Sequence, residues 1–73
     1  MKSQEILLHT PFIKLDQLLK FAGIVETGGQ AKEKIAAGEC RINDEVCTQR
    51  GKKIYPGDTV TIAGESAIHV GKE

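Results

Sequence analysis

"KLDQLLKFAGIVETGGQAKEKIAAGECRIND", residues 14–44, is the stretch on which the fold turns. At about 100° per residue, Leu15, Leu18, Leu19 and Ala22 fall within one arc of a helix. Asp16 and Lys20 form an i,i+4 pair on its outer side, and Gly23 stands where a left-handed residue stops a helix. Just upstream, Thr10 offers a capping hydroxyl and Pro11 suits the first helical position, so the helix is predicted to run through "FIKLDQLLKFAG". A second, shorter helix is predicted over about 28–37. Thr27-Gly28-Gly29-Gln30 fits a capping box, Ala31 and Ile35 share an inward face, and Gly38 closes the segment. Its apolar surface is small, so it must lean on another element. Next, "CRINDEVC" alternates around Asn43-Asp44, two residues that tolerate the positive φ of a tight hairpin turn.

Outward from this centre the chain reads as strands. "EILLH" at 5–9 is a short apolar run. "YPGDTVTIAG" gives a Pro-Gly turn followed by alternating Val60 and Ile62, and "SAIHV" at 66–70 reads as a last strand. Two consecutive helices followed by short antiparallel strands make an α+β domain: two packed helices against a small antiparallel sheet of four to five short strands. One domain over residues 1–73 is expected, with neither repeat nor linker.

Composition narrows the function. A chain of 73 residues buries only a thin core, which disfavours a deep catalytic cleft. Its carboxylates are scattered, and no Ser/His/Asp or Cys/His grouping has local support, so no enzyme activity and no cofactor are expected. Cys40, Cys47, His9 and His69 have the chemistry of metal ligands, but their spacing matches no zinc motif. The two cysteines face each other across the expected hairpin and read as reduced, small strand residues. No apolar run resembles a signal peptide or a membrane span, so a cytoplasmic location is expected. The aromatic residues are Phe12, Phe21 and Tyr55, with no Trp, which argues against a base-stacking surface.

Net charge is zero, ten basic residues against ten acidic, yet the charges are unevenly spread. Residues 30–53 hold six basic side chains (Lys32, Lys34, Arg41, Arg50, Lys52, Lys53) against four acidic ones. Within them "TQRGKK" is wholly positive, and local field outweighs total charge in steering a polyanion. The Gly28-Gly29 pair is no nucleotide fingerprint: neither G-x-x-x-x-G-K-[ST] nor G-x-G-x-x-G is present. It is a helix start, and free N–H groups with no Cβ in the way can receive a phosphate, with Lys32 on the same face. A plain solvated helix end is the alternative at this point.

Taken together, residues 14–44 and the later "IYPGDTVTI" resemble the RNA-binding domain named after small-subunit ribosomal protein S4. That family's pattern is a basic residue before Leu-Asp, a Gly ending the first helix, a Ser/Thr-Arg helix start, Ala-Arg, an Asn-Gly hairpin and a Gly-Asp turn. The match covers 14–62, with strands 5–9 and 66–70 flanking it, as in small free-standing bacterial members of the YbcJ type. The resemblance implies recognition of structured RNA, ribosomal or transfer, by a monomer. It places Lys14 in the basic position before Leu-Asp, Lys20 in a second basic position, and Lys32 in the Arg position after Ala31. Leu15, Leu19, Ala31, Ile35 and Ile42 match core positions, and Gly57-Asp58 the turn. Two departures stand out: Gly28 replaces the family's Arg after the cap, and Asp44 replaces the hairpin Gly. The expected RNA-binding set is therefore Lys14, Lys20, Gly28, Gly29, Gln30, Lys32, Arg50, Lys52 and Lys53, with the cations gathered beside the amino end of the second helix. Alternatives are a protein-interaction module of the same fold, and a ubiquitin-like sulfur carrier suggested by "PGDTVTI".

Overall fold

The computed structural model describes residues 2–64 and 66–73. In chain order the elements are β1 (Lys2–Leu8), β2 (Ile13–Lys14), α1 (Leu15–Phe21), α2 (Gly28–Ala36), β3 (Cys40–Ile42), β4 (Glu45–Val46), β5 (Lys53–Ile54), β6 (Thr59–Ile62) and β7 (Ser66–Lys72). Two helices pack on each other and on a five-stranded sheet of order β1-β7-β6-β3-β4, while β2 and β5 form a separate two-stranded ribbon. One apolar core joins the layers. Leu15, Leu18 and Leu19 enter it from α1, Ala31 and Ile35 from α2, and Ile42, Val60, Ile62 and Ile68 from the sheet.

The sheet is mixed, not wholly antiparallel as its pattern predicts. β1 runs parallel to β7, from Lys2 opposite Ser66 to Leu8 opposite Lys72. Parallel neighbours need a long crossover, and here the whole intervening domain provides it. Alternation identifies both strands but carries no information about direction, because period two is the same in either sense.

The start of α1 also differs. The pattern predicts a helix opening at Pro11 under a Thr10 cap, whereas Thr10 Oγ1 donates to the Phe12 carbonyl at 2.8 Å in a local turn. Ile13 and Lys14 then pair antiparallel with Ile54 and Lys53. Lys14 is extended (φ −73°, ψ 147°), and the helix begins only at Leu15, with no side-chain cap. Its first two N–H groups are satisfied from a distance: Leu15 donates to the Lys52 carbonyl at 2.9 Å and Asp16 to the Arg50 carbonyl at 3.1 Å. Orphan helix donors must find acceptors, and here a loop some thirty-five residues later in the chain supplies them.

The other predicted ends hold. Gly23 (φ 75°) and Gly38 (φ 76°) are left-handed and close α1 and α2. Ile24 N–H reaches the Leu19 carbonyl and Glu39 N–H the Lys34 carbonyl, the six-to-one bond of a Schellman stop in both cases. At the hairpin, Asn43 (φ 51°) and Asp44 (φ 72°) take the two positive angles of a tight turn.

Asn43 does more than turn the chain. Its side-chain amide donates to Asp58 Oδ1 at 3.0 Å and accepts from Thr59 N–H at 3.0 Å, while Asp58 Oδ2 accepts from Tyr55 N–H at 2.8 Å. Two turns distant in sequence are thereby tied together. Removing either side chain loses two hydrogen bonds, each worth about 0.5–1.5 kcal/mol net. Asn43→Ala and Asp58→Ala are each expected to lower stability by about 1–3 kcal/mol in urea unfolding. Because they share one bond, the double variant should lose less than the sum; additive losses would show that the two turns are not coupled.

Candidate functional site

Four of the sequence-predicted cations meet on the ribbon and its clamp. Lys14 ends β2 directly opposite Lys53 in β5. Alternation turns Ile13 and the fully buried Ile54 inward, so Lys14 and Lys53 both point to solvent. The two carbonyls that cap α1 belong to Lys52 and Arg50, which fixes the backbone carrying those exposed side chains. A turn with Lys52 N–H to the Gln49 carbonyl, 3.2 Å, closes the loop.

The backbone contacts that carry these cations are made to the amino end of α1, whereas the sequence pattern names the amino end of α2. The helix itself lends little there: α1 has seven residues, its first two N–H groups are used by the clamp, and Gln17 N–H bonds Asp16 Oδ1 at 2.8 Å. Charge at this place comes from side chains, not from exposed amides. Asp16 borders these cations, turned back on its own backbone, while Glu45 and Asp58 line one concavity with Lys52.

Like charges directly opposed across strands cost stability. Nothing in the fold relieves them: among the described residues the ion pairs are His9–Glu73 (2.9 Å) and Lys34–Glu39 (3.5 Å), and neither includes Lys14, Arg50, Lys52 or Lys53. Lys53 Nζ instead lies 4.9 Å from the centroid of the Phe12 ring. An anion supplied from outside would offset the opposed charges of Lys14 and Lys53.

The remaining predicted residues form a second group. Gly28, Gly29, Gln30 and Lys32 occupy the first turns of α2, all exposed. Thr27 Oγ1 accepts from Gln30 N–H at 3.2 Å, as the capping box requires. The return bond falls one residue earlier than the motif predicts, from Glu26 N–H to Gln30 Oε1 at 2.7 Å. The N–H groups of Gly28 and Gly29 have no acceptor among the described residues. Lys20 sits exposed in the last turn of α1, the end away from Lys14. No hydrogen bond or ion pair among the described residues joins the two groups.

The double glycine is not needed by the fold. Neither residue has a positive φ, a Cβ on Gly28 would meet nothing within 4 Å, and one on Gly29 only Thr27 Oγ1 at 3.8 Å. The contrast is Gly71, where a Cβ would lie 2.9 Å from Leu7 Cδ2.

The cysteines and histidines lie elsewhere. Cys40 and Cys47 are free thiols opposite each other, Cys47 N–H donating to the Cys40 carbonyl at 3.0 Å. Burial, with the Glu39 carboxylate adding, pushes the Cys40 thiol up to about 11, far from a reactive thiolate. Among the described residues no three His, Cys, Asp or Glu side chains gather to hold a metal. No described helix is long and apolar enough to cross a membrane.

Sequence reasoning missed Phe12 and Tyr55. They continue the ribbon one step beyond Ile13 and Ile54, with ring centroids 6.0 Å apart at 49°. The signal was present as a mirrored pair, "FIK" at 12–14 and "KIY" at 53–55, legible only once the two segments are known to be antiparallel neighbours.

Comparison with known proteins places this geometry. Residues 6–70 match the family model of the S4 domain. The chain is 40% identical over 65 residues to RlbA of Bacillus subtilis, named as a probable ribosome maturation protein, covering 89% of this chain and 92% of that one. It is 43% identical over 56 residues to YbcJ of Escherichia coli, named as an RNA-binding protein, covering 77% and 80%. The solution structure of YbcJ, described as carrying an alpha-L motif involved in RNA binding, superposes with a TM-score of 0.67 at 37% identity, covering 97% of this chain and 87% of that one.

Since neither glycine is required conformationally, Gly28→Ala and Gly29→Ala are expected to hold or raise stability, by up to about 1 kcal/mol each through the unfolded chain. Thermal unfolding checks this, and a loss would mean that the glycines serve the fold after all.

Proposed function

The chain belongs to the S4 domain family, and from that premise we propose that it is a non-catalytic RNA-binding module that grips structured RNA through its phosphates. The observation that carries the reading is the set of four cations, Lys14, Arg50, Lys52 and Lys53, with no ion pair among the described residues, whose backbone is held at the start of α1. A-form RNA is recognised mainly by shape and by backbone contacts, and four fixed cations suit that mode. Gly28 and Gly29 form a second contact in this reading, two free N–H groups open to a sugar-phosphate chain, with Lys32 following on the helix. That close approach stands in for the Arg which the family carries at position 28. Lys20, in the last turn of α1, and Gln30, in the first turn of α2, complete the expected set.

Ribosomal RNA is the favoured partner over transfer RNA, because the relative matched over most of its length is named for ribosome maturation. A monomer working in the cytoplasm fits this role. Membership of the S4 family removes the ground for a sulfur carrier. Zero net charge favours the remaining alternative, a protein-interaction module, which predicts partner capture that survives ribonuclease.

Binding to ribosomal RNA fragments over a salt series tests the proposal. Four phosphate contacts predict a log–log slope of about 3–4. Lys14→Ala and Lys53→Ala should each weaken binding to all structured RNAs alike and lower the slope by about one. Arg41→Ala, at an exposed position of β3 outside the ribbon and its loop, should leave the slope unchanged. Equal effects from Arg41 and Lys14 would reduce the interaction to bulk charge. No salt-dependent binding at all would end the RNA reading.

A further inference from the structure

The exposed side of the β2–β5 ribbon carries four side chains in a compact array: Lys14 opposite Lys53, and Phe12 against Tyr55. We propose that Tyr55, buttressed by Phe12, is a stacking platform for one unpaired nucleobase whose adjoining phosphate is held by Lys53 and Lys14. The proposal rests on the RNA-binding reading above and narrows it to a class of ligand: an RNA helix bearing a bulged or terminal unpaired nucleotide, in preference to a blunt duplex.

Geometry selects Tyr55 as the open ring. At 6.0 Å and 49° the two rings touch and cannot sandwich a base between them. Lys53 Nζ, 4.9 Å from the Phe12 centroid, covers one face of that ring, and Phe12 is half-buried. Tyr55 is 48% exposed. Its hydroxyl has no hydrogen-bond partner among the described residues, so the fold makes no use of its polar end.

The mount is rigid. Tyr55 N–H donates to Asp58 Oδ2 at 2.8 Å, its carbonyl accepts from Asp58 N–H at 3.0 Å, and Pro56 follows. A ring held this way loses little freedom when a base settles on it. Every base has a π face, so such a platform tolerates any sequence but requires the base to be unpaired. A cation already lodged beside the rings places the phosphate next to the stack. Phe21, at 72% exposed the most open aromatic residue, lacks this setting: it ends α1, away from the ribbon lysines.

The experiment compares one short RNA hairpin in two forms, blunt and with a single-stranded adenosine tail, on the whole chain. Tyr55 is the sole tyrosine and Trp is absent, so the intrinsic fluorescence reports this ring, with the blunt form as the absorbance control. Wild type is expected to bind the tailed form roughly five- to a hundredfold more tightly, and the tail to quench Tyr55 emission. Tyr55→Leu, which keeps apolar cover over the ribbon, should erase the preference, and Tyr55→Phe should retain it. Thermal unfolding confirms that both variants fold. Equal affinity of wild type for the two hairpins without quenching, or a preference that survives in Tyr55→Leu, overturns the platform while leaving phosphate binding intact. Failure of both hairpins to bind overturns the RNA reading and the platform together.

Discussion

Two backbone hydrogen bonds, from Leu15 and Asp16 N–H to the Lys52 and Arg50 carbonyls, hold the loop after the hairpin against the start of α1. A seven-residue helix does not persist alone, because nucleation is costly and too few turns follow to offset it. Its stability comes from burying Leu15, Leu18 and Leu19 and from donors capped by this distant loop. The same bonds work in the other direction. They take a Gly-containing loop of exposed cations, which would otherwise move freely, and freeze its backbone. Binding an anion then costs less ordering entropy, since part of that cost has been met by folding.

This arrangement sets stability against function. Lys14 and Lys53 directly opposed, with Arg50 and Lys52 close by in the chain, repel one another by about 1 kcal/mol per pair at contact distance in water. Ile54 beneath them is completely buried, and its packing offsets the repulsion above. A carboxylate at position 53 would have formed an ion pair with Lys14 and stabilised the ribbon. Its absence is hard to explain by folding alone and simple to explain by an external polyanion. The double glycine of α2 points the same way, being a destabilising choice with no steric need behind it.

How much of this was legible depended on the range of the interaction. Leu15, Leu18, Leu19 and Ala22 announced α1 by their period, Gly23 and Gly38 its end and that of α2, and Thr27 the cap of α2, because all of these act within one or two turns. Asn43-Asp44 announced the hairpin for the same reason. The start of α1 was misread because Thr10-Pro11 is a sound local signal overridden by Ile13 pairing with Ile54, forty-one positions away by residue number. The parallel β1–β7 pairing was invisible since alternation carries no direction. The clamp that ties the Arg50 and Lys52 carbonyls to the start of α1 was not legible, because it joins segments far apart in the chain. Scarcity of aromatic residues, likewise, said nothing about two of the three meeting in space.

Zero net charge remains compatible with a polyanion partner once distance is considered. At physiological ionic strength exposed charges are largely screened beyond about 8 Å, and the molecule extends 30 × 23 × 21 Å. Glu5, in the edge strand β1, weakens the overall field, whereas Glu45 and Asp58 line one concavity with Lys52 and temper the field of the clamp locally. The consequence is a division of labour. With no net charge, long-range attraction to nucleic acid in general is weak, and non-specific binding and steering are correspondingly low. What remains is a short-range field that acts only when phosphates fit the spacing fixed by the ribbon and its loop. In the proposed reading, selectivity for a folded RNA over other polyanions follows from that geometry, with the acidic residues holding the net charge at zero.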